Sequence, residues 1–108
     1  MWRPVERRLF VAERDGGAWA DGRRILCPPA PTADDELTGA VLSRFLDPAT
    51  RSTVASNAHR FATITPGSMC AGVDYPMIAE GDQRFALFQR TLPWDHAPGV
   101  PLVEEAGG

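Results

Sequence analysis

A run of prolines near the end of the first quarter of the chain limits what this sequence can form. Directly after Cys27 the sequence reads Pro28-Pro29-Ala30-Pro31. Proline has no backbone N–H group to donate to a strand ladder, so a strand cannot continue through this segment. The segment is also too short for a linker between domains. It is therefore predicted to be a loop within one domain.

The residues before this loop have the pattern of β-hairpins. Arg8–Glu13 is a short apolar run that ends at two glycines, and glycine permits the positive φ of a tight turn. Ala18–Ala20 follows, and the dipeptide Asp21-Gly22 is a strong turn signal before Arg23–Leu26. The first quarter is therefore predicted to be β.

Two helices are predicted in the remainder of the chain. Asp47 and Pro48 are typical of a helix start, because an N-cap acceptor precedes a proline at the first helical position. This helix is expected to run to about Arg60. A second helix is predicted between Ser68, as its cap, and Gly81, as its stop.

Extended segments alternate with these helices. Residues 61–65 are predicted to form a strand, and residues 84–89 a strand buried on both sides, because its apolar residues fall on both faces. Residues 37–46 carry both helical and extended signals and stay ambiguous. Such alternation favours α/β or α+β layers.

Composition excludes several classes of protein. Eleven basic residues against fourteen acidic ones give a net charge of −3, which argues against a nucleic-acid partner. No apolar run approaches the roughly 20 residues that cross a bilayer. The amino terminus is too charged for a signal peptide, and the two cysteines lie far apart without a CxxC pattern. We expect reduced thiols and a cytoplasmic protein without a membrane partner.

Few residues carry recognisable chemistry. His59 and His96 are the only histidines, and neither the histidines nor the cysteines have the spacing of a zinc site. His59 is expected to be a solvated residue near a helix end. Asp95 follows the predicted buried strand, where layered folds often collect functional residues, although it could equally be an N-cap.

Two separated motifs resemble those of a known enzyme family. Trp94–Gly99 followed by Val103–Gly108 resembles the carboxy-terminal signature of the inositol monophosphatase family, usually W-D-x-A-A-G and then E-A-G-G. Leu9–Arg24 is similar to the family's A-x-x-G-x-G-A-(F/W)-x-(N/D)-G-(R/K) hairpin. Between them, Gly67–Asp82 and the strand through Phe88 follow the family's order of elements. The resemblance spans essentially the whole chain.

The resemblance implies an architecture and a set of site residues. Members are Mg²⁺-dependent phosphomonoesterases, so it implies a partial α/β layered fold, a mixed sheet with flanking helices. Asp95 matches an aspartate that ligates a metal ion and faces the substrate, and a carboxylate suits Mg²⁺. Cys70 and Ala71 match a small-residue pair at a helix N-terminus, where backbone N–H groups can hold substrate oxygens. Phe88 stands where inositol-hydrolysing members have a glutamate, which argues against inositol phosphate as the substrate.

The resemblance also implies that residues 1–108 are a single partial domain. Most metal ligands of the family come from an upstream glutamate segment and a D-P-x-D-G-T motif, and neither occurs here. We therefore expect an inactive fragment of a phosphatase for a sugar or polyol phosphate. The alternatives are a non-catalytic structural or interaction module and a decayed remnant. Unpaired sheet edges would favour a homodimer or a complex with a chain that completes the fold.

Three prolines depart from the family pattern. Pro98 replaces the second alanine of the carboxy-terminal signature, Pro101 follows in the same predicted helix, and Pro76 lies in the preceding one. A proline inside a helix removes a hydrogen bond and costs about 3 kcal/mol or more. Whether these helices start late, kink or belong to a remnant stays open at this point.

Overall fold

Seven strands and four α-helices form the fold in the computed structural model, which describes all residues from Met1 to Gly108. The strands are β1 (Trp2–Arg3), β2 (Arg8–Glu13), β3 (Gly17–Ala20), β4 (Arg23–Ile25), β5 (Thr38–Val41), β6 (Thr63–Thr65) and β7 (Phe85–Leu87). The helices are α1 (Pro48–Asn57), α2 (Ala71–Glu80), α3 (Pro93–His96) and α4 (Gly99–Glu105). Antiparallel and parallel strands with flanking helices confirm the predicted α/β layered fold.

The first quarter of the chain forms an antiparallel sheet in the order β1-β2-β3-β4. Asp21 and Gly22 connect β3 to β4 and both have positive φ, 51° and 79°. Two-residue hairpin turns that match the strand twist require this conformation. The predicted strands and the turn dipeptide are therefore confirmed.

The second sheet is parallel, in the order β6-β5-β7. The ambiguous residues 37–46 form β5 and then a 3-10 turn at Ser43–Phe45. The expectation of a strand buried on both sides at 84–89 is wrong. β7 covers only three of these residues and Leu87 is 40% exposed, because β7 is an edge strand paired with β5 alone.

The core joins the hairpin sheet to two helices. Phe10 and the small side chains of β3 pack against Ala79 of α2 and against Leu102 and Ala106 of α4. Only 16 of the 108 residues are buried. Helix α1 contributes none of them, and several large apolar side chains, among them Val5, Leu26 and Trp94, are exposed.

Two sets of polar contacts hold the hairpin sheet to the helices. The Arg8 guanidinium donates to both carboxylate oxygens of Glu80 at the end of α2, at 2.7 and 2.9 Å, and to Asp21 at 3.0 Å. The Glu105 carboxylate at the end of α4 accepts the N–H groups of Asp15 and Gly17, each at 2.9 Å. The carboxyl ends of α2 and α4 are therefore both hydrogen-bonded to the hairpin sheet.

The predicted start of α1 is confirmed, whereas of the two predicted ends of α2 only the carboxyl end is confirmed. Asp47 caps α1 by accepting the N–H groups of Ala49 and Thr50, both at 3.0 Å. Gly81 ends α2 with a φ of 84°, as predicted. The prediction that Ser68 caps α2 is wrong, because the chain turns at Met69, with a φ of 64°, and the helix begins only at Ala71.

The three prolines occupy different positions. Pro98 precedes the first residue of α4, and Pro101 is the third residue of that helix, where its N–H would have no helical partner in any case. The expected single helix is thus divided into α3 and a late-starting α4. Pro76 lies inside α2, where its side chain is buried. None of the helices is long and apolar enough to cross a bilayer.

Gly99, the buried first residue of α4, lies directly against the ring of Tyr75, and an added Cβ would collide with it. We expect Gly99→Ala to lower the free energy of unfolding by about 1–3 kcal/mol in urea denaturation. Gly72→Ala is the matched control, because its Cβ would meet only the Cys70 Sγ, at 3.7 Å. It should be neutral or stabilising by up to about 1 kcal/mol. Equal effects of the two changes would contradict this close packing.

Stability should fall in acid partly through Asp21. The Leu9 N–H, at 2.8 Å, and the Arg8 side chain hold the pKa of the Asp21 carboxyl below its ordinary value. The pKa of Asp21 is lower in the folded chain than in the unfolded chain, where it is about 3.9, so the ionised carboxylate stabilises the folded state at pH values above about 3.9. This stabilisation is lost as the pH falls through the pKa of the folded chain. Urea unfolding between about pH 5 and pH 2 should therefore show a shallower decline for Asp21→Asn than for the unmutated chain. Identical declines would contradict this.

Candidate functional site

An open cleft of about 480 Å³ lies between the start of α2, the residues after β7, and α3. The residues that line it include Cys70, Ala71 and Asp95, all three of the predicted site residues, together with Phe88. Strand β7 and helices α2 and α3 therefore bring together residues that are widely separated in the sequence. His59, by contrast, lies exposed in a 3-10 turn after α1 and does not line the cleft.

The wall formed by α2 offers unpaired backbone N–H groups. The first N–H groups of any helix have no partner within it, and Ala71 and Gly72 hold these positions at the edge of the cleft. The positive end of the helix dipole adds to their attraction for an anion. Cys70 precedes them, exposed and unpaired with Cys27.

A buried carboxylate shapes the turn that leads into α2. Asp74 is only 1% exposed, and its Oδ1 accepts the N–H of Ser68 at 3.0 Å. The Ser68 hydroxyl donates to the Cys70 carbonyl at 2.9 Å and accepts the Cys70 N–H at 3.1 Å. These bonds fix the left-handed turn at Met69 and so fix where the first N–H groups of α2 point. Asp74 Oδ2 has no partner.

Asp95 is the only carboxylate that lines the cleft. It is the third residue of α3, exposed, and it forms no salt bridge. The alternative that Asp95 is an N-cap is wrong, because Leu92 precedes α3 and Pro98 precedes α4. The Asp95 carboxylate is thus available to a ligand in the cleft.

Three rings pack on one another next to Asp95: Phe88 and His96, which line the cleft, and Tyr75, which does not. Sequence analysis does not identify Tyr75. The Tyr75 hydroxyl lies 2.8 Å from His96 Nδ1, and His96 Nε2 lies 3.0 Å from the Arg90 carbonyl oxygen. Phe88 stacks on Tyr75 at 5.5 Å and meets the edge of His96 at 4.9 Å. Burial raises the pKa of Tyr75. No local motif links Tyr75 to His96, which lies 21 residues later.

These residues do not make a magnesium site by themselves. Mg²⁺ demands near-octahedral oxygen coordination, commonly from one or two carboxylates, substrate phosphate and water. The cleft offers Asp95 alone, and no group of three or more His, Cys, Asp or Glu side chains could hold a metal ion. The acidic run at Asp34–Glu36 lies in a separate 3-10 turn, where Asp34 pairs with Arg60 at 2.9 Å. The cleft therefore offers one carboxylate ligand, and the other oxygens around a metal at Asp95 would come from substrate, water or another segment.

Comparisons with known proteins agree with the resemblance. The family model described as the inositol monophosphatase family matches residues 1–108. The chain is 32% identical over 114 residues to the inositol-1-monophosphatase ImpA of Mycolicibacterium smegmatis, a match that covers 99% of this chain and 41% of the relative. It is 28% identical over 108 residues to the histidinol-phosphatase of Chlorobaculum parvum, covering 97% of this chain and 40% of that protein.

Solved structures show the same fold. The inositol monophosphatase from Anabaena (Nostoc) sp. PCC 7120 superposes with a TM-score of 0.82 at 21% identity, over 98% of this chain and 43% of that one. The chain thus spans about two fifths of the length of the relatives that it matches.

The turn before α2 should depend on the Asp74 acceptor oxygen. Asp74→Ala leaves the Ser68 N–H without its partner, so we expect a loss of about 1–3 kcal/mol in the free energy of unfolding. Asp74→Asn keeps an acceptor oxygen for the Ser68 N–H, so its loss should be smaller. Urea denaturation measures both. Equal losses would show that the hydrogen bond to Ser68 does not hold this turn.

Proposed function

Because the chain belongs to the inositol monophosphatase family, we propose that it forms one wall of the active site of a Mg²⁺-dependent phosphomonoesterase. The observation that carries this proposal is the shared cleft, which is lined both by the free N–H groups at the start of α2 and by the unpaired Asp95 carboxylate. A phosphomonoester presents anionic oxygens, and these two features suit the anion and its accompanying cation respectively.

The start of α2 and Asp95 have distinct proposed roles. The backbone that follows Cys70, with the free N–H groups of Ala71 and Gly72, would hold phosphate or hydroxyl oxygens, which needs no particular side chain. Asp95 would supply one oxygen ligand to Mg²⁺, with the remaining ligands coming from a segment outside these 108 residues. A bound Mg²⁺ would supply charge neutralisation at the phosphoryl group.

The substrate would be a small phosphorylated polyol or related alcohol. The named activities of the relatives, on inositol 1-phosphate and histidinol phosphate, share a phosphomonoester on a small alcohol. Phe88 lines the cleft with an apolar ring that cannot accept a hydrogen bond from a sugar hydroxyl. This ring argues against inositol phosphate itself.

We propose that residues 1–108 act as a single partial domain with a completing partner. β7 is an edge strand with Leu87 exposed, and Trp94 beside the cleft is 72% exposed. Open strand edges and apolar patches favour association, so a chain that completes the fold or a second copy would cover them. The free thiols of Cys27 and Cys70 agree with a cytoplasmic setting.

The same exposed surface favours a second candidate function, a non-catalytic interaction module. The two candidates differ in what the partner does for Asp95. In the phosphatase, the partner segment brings further carboxylates to the cleft. In the module, it covers the apolar surface and no Mg²⁺-dependent hydrolysis appears in the complex.

Phosphate release tests the phosphatase proposal. The purified chain with Mg²⁺ should release no phosphate from inositol 1-phosphate or histidinol phosphate above the background rate. We then expect Mg²⁺-dependent phosphate release from a small phosphomonoester by a chimera in which this chain replaces the matching segment of the M. smegmatis relative. The isolated chain is the reference for this activity. Asp95→Asn in the chimera should lower kcat/KM by on the order of 100-fold or more, since a metal ligand matters at least as much as its supporting contacts.

Asp82→Asn is the control, because Asp82 is exposed and lies outside the cleft. It should leave activity within about twofold, the scale of a change far from any reacting group. Hydrolysis by the isolated chain that Asp95→Asn abolishes would contradict the need for another segment. A folded chimera whose activity is insensitive to Asp95→Asn would contradict the role of Asp95.

A further inference from the structure

We propose that Tyr75 is a positioning residue: through His96, its hydroxyl fixes helix α3 and thereby the place of Asp95 relative to the first N–H groups of α2. The inference rests on the proposed function only for the role it gives to Asp95. The positioning itself is a property of the chain without metal or substrate.

Helix α3 needs an anchor of this kind. It has four residues, no side-chain cap and no buried residue. So short a helix gains little from its own hydrogen bonds, because nucleation fixes several dihedral angles for each bond formed. His96, its last residue, reaches both Tyr75 on α2 and the Arg90 carbonyl after β7. The imidazole therefore joins α3 to two other elements at once.

The two hydrogen bonds of His96 define one arrangement of protons. A backbone carbonyl can only accept, so His96 Nε2 carries the proton and donates to Arg90. Nδ1 of the neutral ring is then an acceptor, and the Tyr75 hydroxyl donates to it at 2.8 Å. A tyrosine hydroxyl is protonated near neutral pH, so it carries the proton that this bond needs. Both ring nitrogens are thus satisfied, and the ring cannot rotate without losing both bonds.

Tyr75 is itself held firmly enough to act as a reference point. Its ring stacks on Phe88 with an interplanar angle of 16° and lies directly against Gly99 of α4. It also lies four residues after Ala71, one turn along the same face of α2. The residue that anchors α3 is therefore rigidly connected to the N–H groups on the other wall of the cleft.

The imidazole tautomer is the first test, and it needs no substitution. We expect long-range ¹H–¹⁵N spectra of the unmutated chain, at about pH 8 where an ordinary imidazole is neutral, to show His96 as a single Nε2–H tautomer. His59 is exposed and has no hydrogen-bond partner, so it is the internal reference for a mixture of tautomers. An averaged His96 resembling His59, or an Nδ1–H tautomer, would overturn the proposal.

The second test measures how firmly α3 is held against α2. Tyr75→Phe keeps the ring packing and removes only the hydroxyl, and we expect it to speed hydrogen exchange of the Asp95 and Ala97 amides in α3 by at least about fivefold. The amide of Val73, which donates to the Cys70 carbonyl at the start of α2, should not change.

Thr53→Val is the matched control, since it removes a hydroxyl that donates to the Ala49 carbonyl in α1, away from the cleft. It should leave exchange of the α3 amides unchanged. Unaltered exchange of Asp95 and Ala97 in Tyr75→Phe would overturn the proposal and leave Tyr75 a packing residue. Both tests are made without metal or substrate. Their failure is therefore distinguishable from an inactive chimera, which bears only on the proposed function.

Discussion

The contact between the Tyr75 ring and the backbone at Gly99 governs how the helices of this chain meet. Because Gly99 has no side chain, α4 can begin directly against the face of a tyrosine on α2. The same ring stacks on Phe88 after β7 and bonds to His96 at the end of α3. One side chain thus touches α3, α4 and the segment after β7, and α3 and that segment line the cleft.

The hairpin sheet depends on this helix pair and in turn supports it. Small residues, Ala18 and Ala20 on β3 and Ala79 on α2, let the sheet and helices approach closely. At the edge of this small core, the Arg8–Glu80 and Glu105 contacts close the carboxyl ends of α2 and α4 onto the hairpins. The α2 wall of the cleft is therefore built on the better buried half of the molecule, whereas β7, which leads into a second wall, and α1 are poorly covered.

Features set by neighbouring residues were predictable from the sequence. The Asp21-Gly22 turn and the Asp47 cap need only local chemistry, and the Trp94-Asp95 motif placed Asp95 by resemblance. The prediction of Ser68 as a cap is wrong because the positive φ of Met69 delays the helix, and nothing in the sequence demands that conformation. The division between α3 and α4 was only partly predictable, since prolines mark a break without showing which residues start the next helix.

Contacts between distant residues could not be predicted in this way. Tyr75 meets His96 across 21 residues, and Glu105 meets Gly17 across 88, and neither pair has a spacing that a pattern can reveal. Edge position likewise decides the exposure of Leu87, whereas an apolar run alone predicts burial. The contacts that hold the site residues in place can therefore be identified only from the three-dimensional structure.

Native-state hydrogen exchange of the unmutated chain tests most directly whether the cluster of Tyr75, Phe88 and His96 holds α3 in place. The N–H groups of Asp95 and Ala97 donate to Leu92 and Pro93 within a short, exposed helix. If the cluster anchors α3, these amides should exchange within about tenfold of Ala106 in α4, because they open with the same cooperative unit. Exchange of Asp95 and Ala97 at the rate of unprotected amides, while Ala106 stays protected, would contradict that claim.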